Sequence, residues 1–167
     1  MVTFQDIEAA RERIAGAVYY SPCPPSIPLN EITGMEIFCT FDNLQRTGSF
    51  KKRGARNALA QLSAEQQKRG VIAASAGNHG QALAYQGKLL GIPATVVIPK
   101  FAPLVKVNNC QKLGATVVLH GKDFSEAKAH AHEIAKEKGL AYIDGYDDPA
   151  IIAGQGTMGP RNRRASS

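Results

Sequence analysis

From residue 70 onward, short apolar runs and longer mixed stretches take turns along the chain. The runs begin at Val71, Ala94, Thr116 and Ala141, separated by 23, 22 and 25 residues, and each reads as a buried strand. The stretches between them carry apolar positions at helical spacing. Leu83 and Leu90, with Ala82 and Leu89 beside them, form the first stripe, and Leu104, Val107 and Leu113 the second. Phe124, Ala127, Ala131 and Ile134 form the third, behind a cap made by Asp123 and Glu126. Strand and helix alternating at this period predict βαβ units with right-handed crossovers. The fold class is therefore α/β, a parallel twisted sheet with helices on both faces. The units share no side-chain pattern, so the period is not a sequence repeat.

The first 60 residues are less regular. Thr3 and Asp6 form a capping-box-like start, and Ile7, Ala10 and Ile14 then predict a helix over 4–15. Pro22, Pro24, Pro25 and Pro28 make 21–28 an extended connector. Residues 35–41 read as a strand leading into the loop NLQRTGSFKKRGA at 43–55, where Lys51 opens a helix running to about residue 62. An ammonium at a helix N-terminus meets the positive end of the macrodipole, which depresses its pKa. A lysine so placed can attack a carbonyl carbon at neutral pH.

A second candidate site follows the Val71 strand. In parallel α/β sheets ligands sit beyond the carboxyl ends of strands. The turn there is Ser75, Ala76, Gly77, Asn78, His79, Gly80. Its glycines allow close backbone approach, and its free helix N–H groups suit a carboxylate or phosphate. Ser and Asn also cap helices without binding anything, so this turn alone does not establish a site.

Composition removes other classes. At 167 residues and 44% hydrophobic, the chain suits one soluble domain. The net charge is +6, but Arg161, Arg163 and Arg164 supply three of these charges. The remainder is too small and dispersed for nucleic acid, and there is no Trp to interleave with basic residues. Cys23, Cys39 and Cys110 fit no CxxC pattern and read as reduced thiols. The start has no apolar signal segment, and no apolar run approaches the roughly 18 residues of a membrane span, so a cytoplasmic protein without a membrane partner is expected. His130 and His132 point to different sides of a helix and share no metal, and His120 reads as surface.

SFKKRGA from Ser49 and SAGNHGQ from Ser75, with Lys51 and Asn78 27 residues apart, resemble the threonine and serine dehydratases, pyridoxal-phosphate enzymes of the tryptophan-synthase-β fold type. DNLQRTGSF, ITGMEIFC and PAIIAGQGTMG extend the resemblance over 2–159. It implies that Lys51 bonds covalently to pyridoxal phosphate and then removes the substrate's Cα proton. It also implies that Asn78 holds the cofactor's 3'-oxygen, that Phe50 packs by the ring, and that Ser75, Asn78 and His79 receive the substrate carboxylate. The reaction implied is loss of water from L-threonine or L-serine, giving a 2-oxo acid and ammonia. The related serine racemases carry a serine where Ala76 stands, and alanine favours elimination over racemisation.

The resemblance also implies a division of the chain. Residues 1–48 belong with an incomplete large domain, 49–148 form a complete small flavodoxin-like domain, 149–159 begin the return, and 160–167 are a basic tail foreign to the family. The tail is expected to be a truncation or frameshift scar. The cofactor's phosphate loop would lie further on, so a chain lacking it is expected to lose at least about a thousandfold in cofactor affinity. Unpartnered apolar faces at 1–48 could then drive homo-oligomerisation. The rival expectations are an inactive association module and a racemase. Lys52, cationic where the family has an apolar or acidic residue, is expected in solvent. Gly154, Gly156 and Gly159 spell GxGxxG, but no acid follows, so they read as a turn entering a helix and not as a dinucleotide site.

Overall fold

The four apolar runs become strands at the residues where the pattern starts them. The structure, a computed structural model, describes residues 1–75 and 77–159. Strands β1 (Val71–Ala74), β2 (Ala94–Ile98), β3 (Thr116–Leu119) and β4 (Ala141–Tyr142) form one parallel sheet in the order β3-β2-β1-β4. Helices α5 (Asn78–Leu90), α6 (Leu104–Lys112) and α7 (Phe124–Lys138) connect them. The expected Asp123 cap is present, its carboxylate accepting the Glu126 N–H.

Strand alternation sorts the core into two layers. Val71 and Ala73 pack with Leu59, Leu83 and Ile151 on one face, while Ile72 and Ala74 pack with Ala127, Ala131 and Ala135 of α7 on the other. On β2, Val96 and Ile98 meet α5 and α6, and Val97 meets α7. The helix changes face because β1, β2 and β3 progress one way and β4 returns to the far side of β1, and right-handed crossovers allow nothing else. That reversal leaves the loops after β1 and β4 side by side. Leu89, in the last turn of α5, and Leu104, first in α6, were expected on apolar stripes and are exposed.

The early chain differs more. Helix α1 (Phe4–Arg13) has the predicted Thr3–Asp6 capping box, and Ala10 and Ile14 are buried where it packs on α8. The connector expected over 21–28 gives way to helix α2 (Ile27–Thr33), with Pro28 in its first turn, where a missing N–H costs nothing. The strand expected over 35–41 is reduced to one antiparallel bridge, Pro25 to Phe38. Its partner segment contains Pro22, Pro24 and Pro25, which have no N–H to donate, so the ladder cannot be completed. Helix α3 (Lys51–Leu59) begins at Lys51 as expected but ends before residue 62. Ser63 and Gln66 form a capping box there and start a new helix, α4 (Ala64–Arg69).

The glycine-rich segment expected to be a turn is helix α8 (Pro149–Gly156), its start capped by Asp148. Its glycines serve packing. A Cβ on Gly154 would lie 2.6 Å from the Gly54 Cα and 2.9 Å from the Arg53 carbonyl oxygen, so α3 and α8 cross backbone to backbone. Gly154→Ala gains about 1 kcal/mol of helix propensity but must push two backbones apart. A net loss of roughly 1–3 kcal/mol is expected, read as a lowered urea midpoint with unchanged slope.

Candidate active site

Lys51 is the first residue of α3, and its side chain crosses to the loop that follows β4, where Nζ donates to the Gly145 carbonyl oxygen at 2.6 Å. Two rings flank the amine, Tyr146 at 4.8 Å and Phe50 at 5.4 Å from Nζ to the centroid. Burial lowers the Lys51 pKa, and the Asp144 carboxylate opposes it. The depression expected from the helix dipole thus has burial behind it.

A cleft of about 350 Å³ opens at this point, lined among others by Lys51, Ser75, Asn78, His79, Lys106 and Tyr146. It lies where the strand order reverses, beyond the carboxyl ends of β1 and β4, the crevice in which such sheets bind ligands. A larger cavity of about 450 Å³, between α1 and Thr157, contains neither the lysine nor the β1 turn.

The sequence-predicted residues take distinct positions. Ser75 is buried, and its Oγ accepts the N–H groups of Gly77 and Gly80, so it caps α5 and has only its own O–H to offer a ligand. Asn78 opens α5 and lines the cleft. His79 is buried against Gly145, where an added Cβ would lie 2.9 Å from the imidazole Cγ. Its Nε2 lies 3.0 Å from the Ile143 carbonyl oxygen, which can only accept, so Nε2 carries the proton and the buried Nδ1 is an acceptor with no partner among the described residues. Burial lowers the His79 pKa, keeping the ring neutral. Phe50 stands beside the amine but does not line the cleft. Ala76 lies outside the described residues, as do 160–167.

Lys52 is not in solvent. It is 3% exposed, its ammonium held over the Tyr19 and Tyr85 rings at 4.8 and 5.4 Å. The helical turn of about 100° between neighbours sends Lys51 into the cleft and Lys52 away from it. Among the described residues no three metal-ligating side chains gather, and the three thiols are free. His120 stacks on His130 at 3.8 Å and His132 on Tyr142 at 3.9 Å, so these rings are packed together rather than simply solvated.

Sequence reasoning missed the loop after β4. Asp144 accepts the Tyr146 and Asp147 N–H groups on Oδ1, at 2.8 and 3.2 Å, and Lys128 binds Oδ2 at 2.8 Å. Burial alone would raise the Asp144 pKa, but these bonds outweigh it and hold it at about 2. A depressed carboxyl contributes stability that is present above its unfolded value of 3.8 and lost as pH falls towards 2. With the bridge partly open to solvent, about 1 kcal/mol is expected to disappear between pH 4 and 2. Asp144→Asn should flatten that part of a stability-against-pH curve.

A parallel α/β domain with a half-buried lysine at its switch point belongs to the class of domains that can bind a carbonyl compound covalently. The chain is a member of the pyridoxal-phosphate dependent enzyme family, whose sequence profile matches residues 14–162. It is 46% identical over 159 residues to an L-threonine ammonia-lyase of Thermotoga maritima, covering 95% of this chain and 40% of that protein. A processed threonine deaminase isoform 2 from Solanum lycopersicum superposes with TM-score 0.87 at 40% identity, over 96% of this chain and 44% of the other. A serine racemase from Dictyostelium discoideum gives 0.91 at 36% identity, over 98% and 53%. The chain spans less than half the length of the curated relatives it matches.

The residues present fit the aldehyde end of pyridoxal phosphate. Lys51 offers an amine whose ammonium form is disfavoured by burial, and His79 Nδ1 is a buried acceptor without a partner among the described residues. Gly77 leaves open space where any side chain would stand.

Proposed function

We propose that this chain is the lysine-bearing part of an ammonia-lyase that converts L-threonine or L-serine to a 2-oxo acid and ammonia. The observation that carries the reading is the Lys51 amine, half-buried and facing the start of α5 across one cleft. Pyridoxal phosphate supplies an aldehyde and an electron-withdrawing ring. Lys51 holds it, the Asn78 amide orients it, and Phe50 shields the amine side of the site. The substrate carboxylate is taken up by the free first-turn N–H groups of α5, that of His79 included, together with the Ser75 hydroxyl; the neutral His79 ring, its proton committed to Ile143, does not donate to it. Lys106, on the cleft wall, adds a positive charge that draws the carboxylate in. Once the substrate's amine has displaced it from the cofactor, the freed Lys51 Nζ, less cationic than an ordinary lysine, would accept the Cα proton. Tyr146 covers the amine and limits water there.

The relatives at 46% and 44% identity, both named for threonine, favour threonine as the substrate. The packing of α1 on α8 is in keeping with placing 1–48 and 149–159 together in a larger domain and 49–148 in a small one, although α8 also crosses α3 and sends Ile151 into the core of the sheet. The exposed Ile27, Ile32 and Met35 in and after α2 agree with that division. They also support the second reading, a non-catalytic chain that associates through this face. Titration with pyridoxal phosphate separates the two. A visible absorbance band and 2-oxo acid from threonine support the lyase. A cooperative melt with neither, and a mass that grows with concentration, supports the association module.

A further inference from the structure

We propose that Asp144, with Lys128 on its outer oxygen, is a positioning residue for Lys51, holding the Gly145 carbonyl and the Tyr146 ring against the amine. This rests on the reading of Lys51 as the reactive amine.

The argument is geometric. Asp144 makes three bonds, to two loop N–H groups and to the Lys128 ammonium of α7, and these fix the turn in which Gly145 and Tyr146 lie. The carbonyl of the first accepts a hydrogen bond from the Lys51 ammonium, Nζ to O 2.6 Å, and the second places its ring 4.8 Å from Nζ. The loop cannot retreat, because His79 is hydrogen-bonded to Ile143 on one side and packs directly on Gly145. A bridge between α7 and the β4 loop therefore decides where an amine carried by α3 comes to rest.

The same bridge also bears on the amine's charge, which burial governs first and the Asp144 carboxylate opposes. The titratable groups around Lys51 are Asp144 and Tyr146 of the loop, His79 of α5, Lys106 of α6 and the averted Lys52 of its own helix. Of these, Asp144 is the carboxylate that favours the ammonium, against the effect of burial. Lys128 partly cancels that carboxylate, so removing either partner moves Lys51 in opposite directions.

Competitive acetylation of the 167-residue chain, followed across pH by mass spectrometry of the Lys51 peptide, tests this without cofactor. Asp144→Asn loses both the charge and the Lys128 anchor that holds the loop to α7, and should lower the titration midpoint of Lys51 by about 0.5–1 unit. Lys128→Met leaves the carboxylate unscreened and should raise it by a similar amount. Below the midpoint each shift is roughly a three- to tenfold change in labelling rate. Midpoints that stay put, or that move the same way in both variants, would overturn the proposal. Should Asp144→Asn fail to fold, an unshifted midpoint in Lys128→Met alone would do so. Reduction with borohydride after adding pyridoxal phosphate separately asks whether the wild-type chain captures the cofactor. A negative answer there would remove the lyase reading while leaving the midpoints to decide the role of Asp144.

Discussion

Lys51→Ala is expected to abolish covalent capture of pyridoxal phosphate completely, leaving no visible band and no cofactor mass on the chain after borohydride reduction. The loss should be all or none, because Lys51 is the half-buried cleft amine, flanked by the Phe50 and Tyr146 rings, whereas the other cleft lysine, Lys106, is exposed on the wall. Its neighbour Lys52 also has a lowered pKa, through burial first and then through the charges of Arg53, Arg46 and Arg56. That amine sits between the Tyr19 and Tyr85 rings and cannot take over. Lys52→Met is therefore the matched control. It removes a lysine whose pKa is also lowered from the same helix turn, and the band should persist. The folded state should tolerate Lys51→Ala well, since the amine gives up one hydrogen bond to a backbone carbonyl and a burial cost along with it. A band that survives Lys51→Ala and disappears in Lys52→Met would place the chemistry on the wrong side of α3.

The difference between the two lysines shows what the chain's pattern could and could not reveal. Strand starts were legible because apolar runs of fixed length recur at a fixed period, and that signal is local. The turn from Ser75 was legible as the end of the first run, whereas the helix opening at Lys51 lies in the less regular early chain, and the roles of both came from the resemblance of SFKKRGA and SAGNHGQ. Which loops meet was not legible, because strand order is a property of the whole sheet. Nothing in residues 143–147 announces that β4 lies beside β1, so Asp144, Gly145 and Tyr146 went unnoticed although they contact the amine or brace its partner. The side to which Lys52 turns was missed for a related reason, since its two aromatic partners come from residues 19 and 85. The glycines of α8 were misread because a glycine required for close helix crossing looks, in sequence, like one required for a turn.

Asp42→Ala should cost the fold about 3–5 kcal/mol, the largest stability loss expected from a single substitution in this chain. Asp42 and Arg53 are 6% and 0% exposed, and the guanidinium binds the carboxylate through two hydrogen bonds, Nε to Oδ2 at 2.7 Å and Nη2 to Oδ1 at 2.8 Å. Ser21 donates to Oδ1 at 2.5 Å, and Gln45 bonds Ser21 and the Tyr19 backbone, so one carboxylate ties 19–45 to α3. Burial by itself would raise the Asp42 pKa, but Arg53, Ser21 and Gln45 together hold it below its ordinary value. The carboxylate's contribution is therefore present at neutral pH and fades as pH falls through that lowered value. Alanine leaves a fully buried guanidinium whose other hydrogen bond among the described residues is to Thr157 Oγ1 at 3.4 Å, and an unpaired buried cation is the expensive outcome. Thr157 follows α8, and α8 crosses α3 at Gly54, so the damage should reach the element that carries Lys51. Urea unfolding of Asp42→Ala should show the lost stability directly. The double variant Asp42→Leu with Arg53→Met should recover most of it, because an apolar pair removes the uncompensated charge. Failure of the double variant to recover would mean that the hydrogen bonds to Ser21 and Gln45, and not the ion pair, hold the early chain against α3.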